Sequence, residues 1–538
     1  MQTLRRIAAV LTFPTIAYLG AACERETPTA PTARRPVAAT LAAPTTRWVN
    51  RVDPTPPFYS PPGTSCNDPG YPTIGDAVTA SMSGDIIQVC ASAMPYTENV
   101  LVNVTNLTLL GAQAGNPVAL RTFGGPLEST VMGANPTASV PVFQVTATNV
   151  TIDGFSVTNT VVLGDAFGIG TGSGAGSGAV ITNNIIHMVT TPDVNGAAQA
   201  IYLQNGPDNV SILGNDLSDV TSAKSAKGIF IGDAASMNAS TSIVITGNSI
   251  SNITSLSIMN VPKKGAYGIL INNGNGSTSN SGLEIRNNTI TYLNGAAWVH
   301  AIGLEANTPG VVVQGNSISN LMAPPNAAVA VWFEVTDPSY STAHVNQNNL
   351  DVTIADFGIA VDPSITSSGV VDGTCNWWGD PSGPGPVGTG LGARVSPKVA
   401  FIPWLLEPAP SGACRGGAPS GGTVTGGGQI DVMSGTTSGV GSFGFSANAG
   451  RHSGHLDYLN HLSSTHLNCT VNVVLIDATK TKAHLSGTCS SNNYTGNFNA
   501  DVQDNGTPGK NKDTFTITYG TNTDGAMETI RSGNIEIH

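Results

Sequence analysis

The sequence predicts an all-β chain: a right-handed parallel β-helix of about ten coils with an N-terminal helical cap, followed by a small antiparallel β-sandwich. Three observations predict it. Charged residues are only 10% of the 538, with 63 Gly and 34 Pro, against roughly 25% charged in an ordinary soluble domain. A nine-residue phrase recurs: Asn209-Val-Ser-Ile-Leu-Gly-Asn215-Asp-Leu217, Ser242-Ile-Val-Ile-Thr-Gly-Asn248-Ser-Ile250, Gly282-Leu-Glu-Ile-Arg-Asn-Asn288-Thr-Ile290 and Gly310-Val-Val-Val-Gln-Gly-Asn316-Ser-Ile318. Weaker copies centre on Phe155, Asn184, Asn348 and Asn376. A second phrase accompanies most copies: Ala200-Ile-Tyr-Leu-Gln204, Gly228-Ile-Phe-Ile-Gly232, Gly268-Ile-Leu-Ile-Asn272, Ala301-Ile-Gly-Leu-Glu305, Ala330-Val-Trp-Phe-Glu334 and Gly358-Ile-Ala-Val-Asp362.

With the Asn as zero, positions −5, −3 and +2 are apolar, a period of two broken by a turn. One such unit cannot bury its apolar face alone, so coils must stack. The recurring Asn should then form a ladder, its amide bonded to neighbouring coils. A propeller would need four strands per roughly 40–50-residue blade, more than these short repeats supply.

Residues 1–23 read as an export signal: Arg5 and Arg6, then the apolar run Ile7 to Ala22, which is shorter than the ~20 residues of a membrane span. Its end, Leu19-Gly20-Ala21-Ala22-Cys23, resembles a bacterial lipoprotein signal, which implies lipidation of Cys23. Simple secretion is the alternative. Residues 24–63, rich in Pro, Thr and Ala, read as a disordered tether. The β-helix is placed at 64–405, a Gly/Pro linker at 406–428 and the C-terminal domain at 429–538. Setting Cys23 aside leaves six cysteines in three sequence-local pairs: Cys66 with Cys90, Cys375 with Cys414, and Cys469 with Cys489. Export to an oxidising compartment makes these expected disulfides.

The opening of the folded part carries a resemblance: Tyr71-Pro-Thr-Ile-Gly-Asp-Ala-Val-Thr-Ala80, Gly84-Asp85-Ile-Ile-Gln-Val89, Tyr96-Thr-Glu98 and Asn106-Leu-Thr-Leu-Leu-Gly111. With the terminal Cys375-Asn-Trp-Trp-Gly379, it resembles the pectin-lyase-like superfamily of right-handed β-helix repeat proteins over about 66–405. That resemblance implies a capping helix before the first coils. At the far end, Gly426-Gly-Gly-Gln429, Gly454-His-Leu-Asp-Tyr458 and Asp504-Asn-Gly-Thr-Pro-Gly509 resemble the post-COAP domain of secreted bacterial proteins.

Enzymes of this fold use recognisable signatures, and none is matched. There is no Asp-Asp pair. The eight Lys/Arg of residues 66–405 (Arg121, Lys224, Lys227, Lys263, Lys264, Arg286, Arg394 and Lys398) are expected to lie off the outward stripe of the second phrase. That stripe presents Tyr202, Gln204, Asn272 and Trp332 as candidate ligand contacts. It also stacks Glu305, Glu334 and Asp362 on successive coils, ~4.8 Å apart. Such carboxylates repel, so one should titrate high or the set should hold a cation; no cofactor is required, and Ca²⁺ is the ion they could take. The same spacing suits a glycosidase carboxylate pair. Glu284 and Arg286 read as a surface ion pair. In the C-terminal domain His455, Asp457 and His461 share strand parity and are the metal candidates. A plain solvated stripe and exposed histidines are the bland alternatives.

A net charge of −12 excludes nucleic acid as a partner in this reading. The expected protein is extracellular or in the cell envelope, touches the membrane only through a lipid anchor, and binds a polysaccharide or a surface partner without catalysis. Its alternative is a polysaccharide lyase or glycoside hydrolase.

Overall fold

The computed structural model describes residues 43–538 apart from 52–58, 173–175, 233–237, 258–264, 273–278, 335–337, 354–355, 367–368, 382, 386–390, 413, 417–421, 435–436, 450–452, 477–478, 491–493, 521 and 526–528. Arg5, Arg6, Cys23, Lys263 and Lys264 lie outside the described residues. Among the described residues no helix is long and apolar enough to cross a membrane.

Three parallel sheets run along the chain from Thr46 to Ala400, with 12, 9 and 11 strands. Each coil contributes one short strand to each sheet, as in Ser211–Leu213, Asp216–Ser222 and Ser225–Ile231. Each strand pairs in parallel with its counterpart one coil on, Ile212 beside Ile245 and Leu217 beside Ile250. This is the expected right-handed β-helix. The apolar positions fill its interior: Ile243, Ile245 and Ile250 around Asn248 are buried in one core cluster.

The recurring Asn builds the ladder. Asn215 donates its backbone N–H and Nδ2 to Asn248 Oδ1 (2.9 and 3.0 Å), and Nδ2 also to Ile181 O at 2.9 Å. Asn248 repeats this on Asn288, Asn288 on Asn316, Asn316 on Asn348, and Asn348 on Asn376. The residue before the Asn stands at positive φ, as at Gly247 (68°) and Asn287 (53°), which explains the Gly-Asn and Asn-Asn spellings. Where the weak copy has Phe155 in place of Asn, the column ends. There Phe155 N–H donates to Asn184 Oδ1. The buried Arg121, paired with Glu128, donates to the carbonyls of Phe155 and Asn183.

The capping helix is Ile74–Thr79, with the Thr73 hydroxyl accepting from Asp76 N–H and Glu98 accepting from the N–H groups of Ile74 and Gly75, both at 2.9 Å. All three expected disulfides are present.

Two boundaries need correction. The expected tether 24–63 contains the first strand, Thr46–Val49, paired with Ile86–Val89. Arg47 holds it by two bonds to the Asp85 carboxylate (3.0 and 2.8 Å); the prolines around Thr-Arg-Trp-Val masked four residues of good strand propensity. The expected linker 406–428 contains Cys414–Gly416 and the start of Thr423–Ser434. Gly426 and Gly428 are strand residues with phenylalanine rings over them: a Cβ on Gly426 would stand 2.5 Å from the Phe445 ring and one on Gly428 3.2 Å from the Phe443 ring.

The C-terminal region is antiparallel, as expected, but its nine strands form one continuous hydrogen-bonded sheet rather than the two sheets of a sandwich. Successive strands pair as a meander, and the last, Ser532–Ile537, returns to the first. The sheet curls because Ile530 bonds back to Asp513 at one end and Arg531 to Gln429 at the other. One core of Phe443, Phe445, Tyr458, Phe515 and aliphatic neighbours fills the concave face. Leu475 points the other way and packs with the β-helix core.

Candidate functional site

The outward face of the third sheet carries the candidate residues, and it has three columns rather than two. The reason is a bend. In each strand two consecutive residues, such as Ala301 and Ile302, both enter the core. The small residue at the bend is needed: a Cβ on Gly228 would lie 2.6 Å from Gly268 O and 2.7 Å from Ile250 Cγ2. Residues before the bend therefore turn outward, where strict alternation would have put them inside.

The added column runs Phe167, Gln199, Lys227, Tyr267, His300, Val329 and Phe357, paired coil to coil. This corrects the expectation that no Lys or Arg falls on the stripe: Lys227 lies on it, and Arg394 stacks over Phe357 at its far end. The second column is Tyr202, Phe230, Leu270, Gly303, Trp332 and Ala360. The third, just past the strand ends, is Gly232, Asn272, Glu305, Glu334 and Asp362, linked by the continuing backbone bonds from Asn272 N to Ile231 O, Glu305 N to Ile271 O, Glu334 N to Leu304 O and Asp362 N to Phe333 O.

Much of this face is buried, although it lies outside the main core. Gln199 is 5% exposed, Lys227 6% and His300 4%. Both ring nitrogens of His300, Gln199 Oε1 and Trp298 Nε1 are buried without a hydrogen-bond partner. Unpaired buried polar atoms each cost about 1–3 kcal/mol, so such a group needs a reason. His300 is fixed by rings: it stacks on Trp332 (centroids 5.1 Å) and meets Tyr267 edge-on (5.4 Å). Its Nδ1 is 3.7 Å from Glu305 Oε1.

Lys227 makes no hydrogen bond to a described residue; its Nζ lies 5.0 Å from the Phe230 ring centre. Burial pushes its ammonium down to about 8, against the pull of Asp165 and Glu305.

The three carboxylates sit on successive coils as the spacing required. Glu305 accepts from Asn272 Nδ2 at 2.8 Å, Glu334 from Trp332 Nε1 at 3.2 Å, and Asp362 from the N–H of Ser364 at 2.7 Å. Among the described residues none of the three pairs with a Lys or Arg. Burial raises the Glu334 carboxyl above the usual range; Glu305 and Asp362 push it the same way, while Trp332 and His300 oppose them.

The aromatic candidates differ from one another. Tyr202 is sandwiched between Phe167 (5.4 Å, 21°) and Phe230 (5.2 Å, 6°), so both its faces are taken. It and Gln204 are both half-buried. Trp332 stacks against His300 and has Ala360 as its strand partner on the following coil. Arg286 and Glu284 form the expected surface pair at 2.8 Å.

The expected metal set does not assemble. His455 Nε2 bonds Asp457 at 2.7 Å, but His461 turns to the Ser442 hydroxyl at 2.8 Å. The parity argument needed the strand to reach residue 461, and it stops at Asn460. His466 lies nearer, 3.9 Å from Asp457. Among the described residues no three His, Cys, Asp or Glu groups are placed to hold a metal ion.

No family model matches the chain, and no curated protein matches it. Among solved structures it is similar to the tailspike protein of E. coli bacteriophage HK620 in complex with a pentasaccharide, at a TM-score of 0.21 and 10% identity over 85% of this chain and 80% of that one. So loose a superposition carries no weight, and the fold rests on its own hydrogen-bond topology.

Proposed function

We propose that this is an extracellular or cell-envelope protein whose β-helix binds carbohydrate along the outward face of the third sheet, without turning it over. One observation carries the reading: buried polar atoms with open hydrogen-bonding capacity, on His300, Gln199 and Trp298, stand among aromatic rings on one face. A sugar offers both matching halves, hydroxyl groups that donate and accept and an apolar ring face. Trp332, Tyr202, Gln204, Asn272 and the carboxylates complete the contact set. The three disulfides fit an oxidising compartment.

The test is binding of the full chain to an array of neutral, acidic and amino polysaccharides, with Trp332→Ala and Tyr202→Ala beside the wild type. Binding should appear and fall about tenfold or more in Trp332→Ala, the loss of a buried aromatic anchor. A blank array, or variants that bind as well as wild type, would overturn the reading.

A second reading is a polysaccharide lyase, favoured by Lys227 alone. An amine pushed down to about 8 is partly neutral near pH 7 and able to take a proton. It stands second because its strand partners on the neighbouring coils are Gln199 and Tyr267, while Asp165 and Glu305 pull the ammonium toward its charged form. New unsaturated uronates on incubation with acidic polysaccharides would promote it.

A further inference from the structure

We infer that the carbohydrate bound at this face carries a free amine, whose ammonium sits between Glu305 and Glu334 beside the Trp332 ring. The inference rests on the carbohydrate reading and names its ligand class.

Three features combine. The carboxylates of Glu305, Glu334 and Asp362 lie on consecutive coils, and none meets a described Lys or Arg; each is held by a neutral donor. Anions brought together in a half-buried place favour a cation. A small metal ion does not fit, because no three acidic or His groups among the described residues converge closely enough to share one. An ammonium on a sugar ring is larger and carries three donors, so it can bridge carboxylates one coil apart, ~4.8 Å. Trp332, bonded to Glu334 and paired with the small Ala360 on the following coil, adds the ring face that attracts a cation.

The second, independent observation is His300. It is 4% exposed, and neither ring nitrogen makes a hydrogen bond. It lies 3.7 Å from Glu305 and against Trp332. The imidazole there can hydrogen-bond the hydroxyl groups beside an amine, satisfying ring nitrogens that have no hydrogen bond within the protein. Lys227 stands two coils before Glu305 and attracts it, without an ion pair between them among the described residues.

Binding must then move protons. The groups that face Glu334 are Glu305 and His300 on the preceding coil, Asp362 on the following one, and Trp332 on its own strand. Burial and the two neighbouring acids raise the Glu334 carboxyl above the usual carboxylate range. A bound ammonium favours its anion, so a proton is released. Affinity therefore rises with pH as Glu334 ionises, and falls again where the sugar's own amine loses its proton.

The experiment uses the full chain and three β-1,4-linked glucose-type hexasaccharides that differ only at carbon 2: hydroxyl, acetamide or free amine. Titration calorimetry at mildly acid pH, in two buffers of different ionisation enthalpy, reads affinity and proton release together. The amine form should bind about tenfold or more tighter than the others, as one charge-assisted bond provides. Proton release should accompany it, and both should be lost in Glu334→Gln. Asp362→Asn serves if Glu334→Gln does not fold, and Asp431→Asn, on the C-terminal sheet, controls for the attraction of any polycation to an acidic protein. Equal binding of all three sugars overturns the amine and leaves the carbohydrate reading standing. No binding of any also overturns the amine, and the array decides the carbohydrate reading by itself. Loss in Asp431→Asn as large as in Glu334→Gln overturns it too.

Discussion

Two rows of buried polar side chains run along the same coils and are treated in opposite ways. The asparagine row lies in the turn between the first and second sheets; its side-chain amides bond to the next coil and to a backbone carbonyl, as Asn215, Asn248 and Asn288 do. The row from Gln199 through Lys227 to His300 lies on the third sheet and is also buried, but Gln199 Oε1 and both His300 ring nitrogens have no hydrogen bond. Burial alone therefore does not mark a structural residue. A satisfied row holds coils in register, and an unsatisfied one weakens the fold at a place where something else can bind.

The largest effect expected from breaking this contrast is in the ladder. Asn248→Ala orphans the N–H and Nδ2 of Asn215 and the carbonyl of Ile212. At about 1–3 kcal/mol per orphaned group, chemical denaturation should show a loss of about 3 kcal/mol or more. A loss under about 1 kcal/mol would mean the ladder is ornamental.

Lys227→Met comes next and has the opposite sign. The ammonium is pushed down to about 8 in the fold and titrates near 10.4 when unfolded. Between these values the unfolded chain binds the extra proton, so wild-type stability rises with pH. The variant should melt higher than wild type at pH 7, with the gain complete below about 8 and gone above about 10.4. A variant that melts lower at pH 7 would place Lys227 among the structural residues.

His300→Leu should be smaller still. Replacing an unpaired buried group by an apolar one of similar volume is close to neutral; stability should stay within about 1 kcal/mol while sugar binding falls. A large destabilisation would move His300 into the same class as Asn248. Arg286→Ala closes the series: an exposed pair with Glu284 is worth about 0–1 kcal/mol, and a thermal melt should barely shift.

The architecture could be read from particular residues. Ile243, Ile245 and Ile250 take up their inward places around Asn248, since period two holds across a short strand and a Gly-Asn turn resets it. Glu305, Glu334 and Asp362 align because their strands do. Lys227 and His300 escaped because the alternation carried back from Ile229 and Ile302 crosses the bend, where two inward residues follow each other. The signal was present as the column Ala200, Gly228, Gly268, Ala301, Ala330 and Gly358, small residues that only a crowded inward bend requires. The strand at Thr46–Val49 was hidden by its prolines, and the turn at His461 by a strand drawn one residue too long.

The ladder also has a direction. Each Asn Oδ1 accepts from the coil before it and each Nδ2 donates to the coil after it. The amide dipoles therefore add head to tail, with their negative poles toward the N-terminal coils. Where the column ends, at Phe155, the chain places a buried guanidinium, Arg121, against the carbonyls of Phe155 and Asn183. Its N–H groups donate at the pole where a column so polarised presents oxygen, while Glu128 balances its charge. The β-helix thus has an electrical axis as well as a mechanical one, and the Arg121–Glu128 pair closes it.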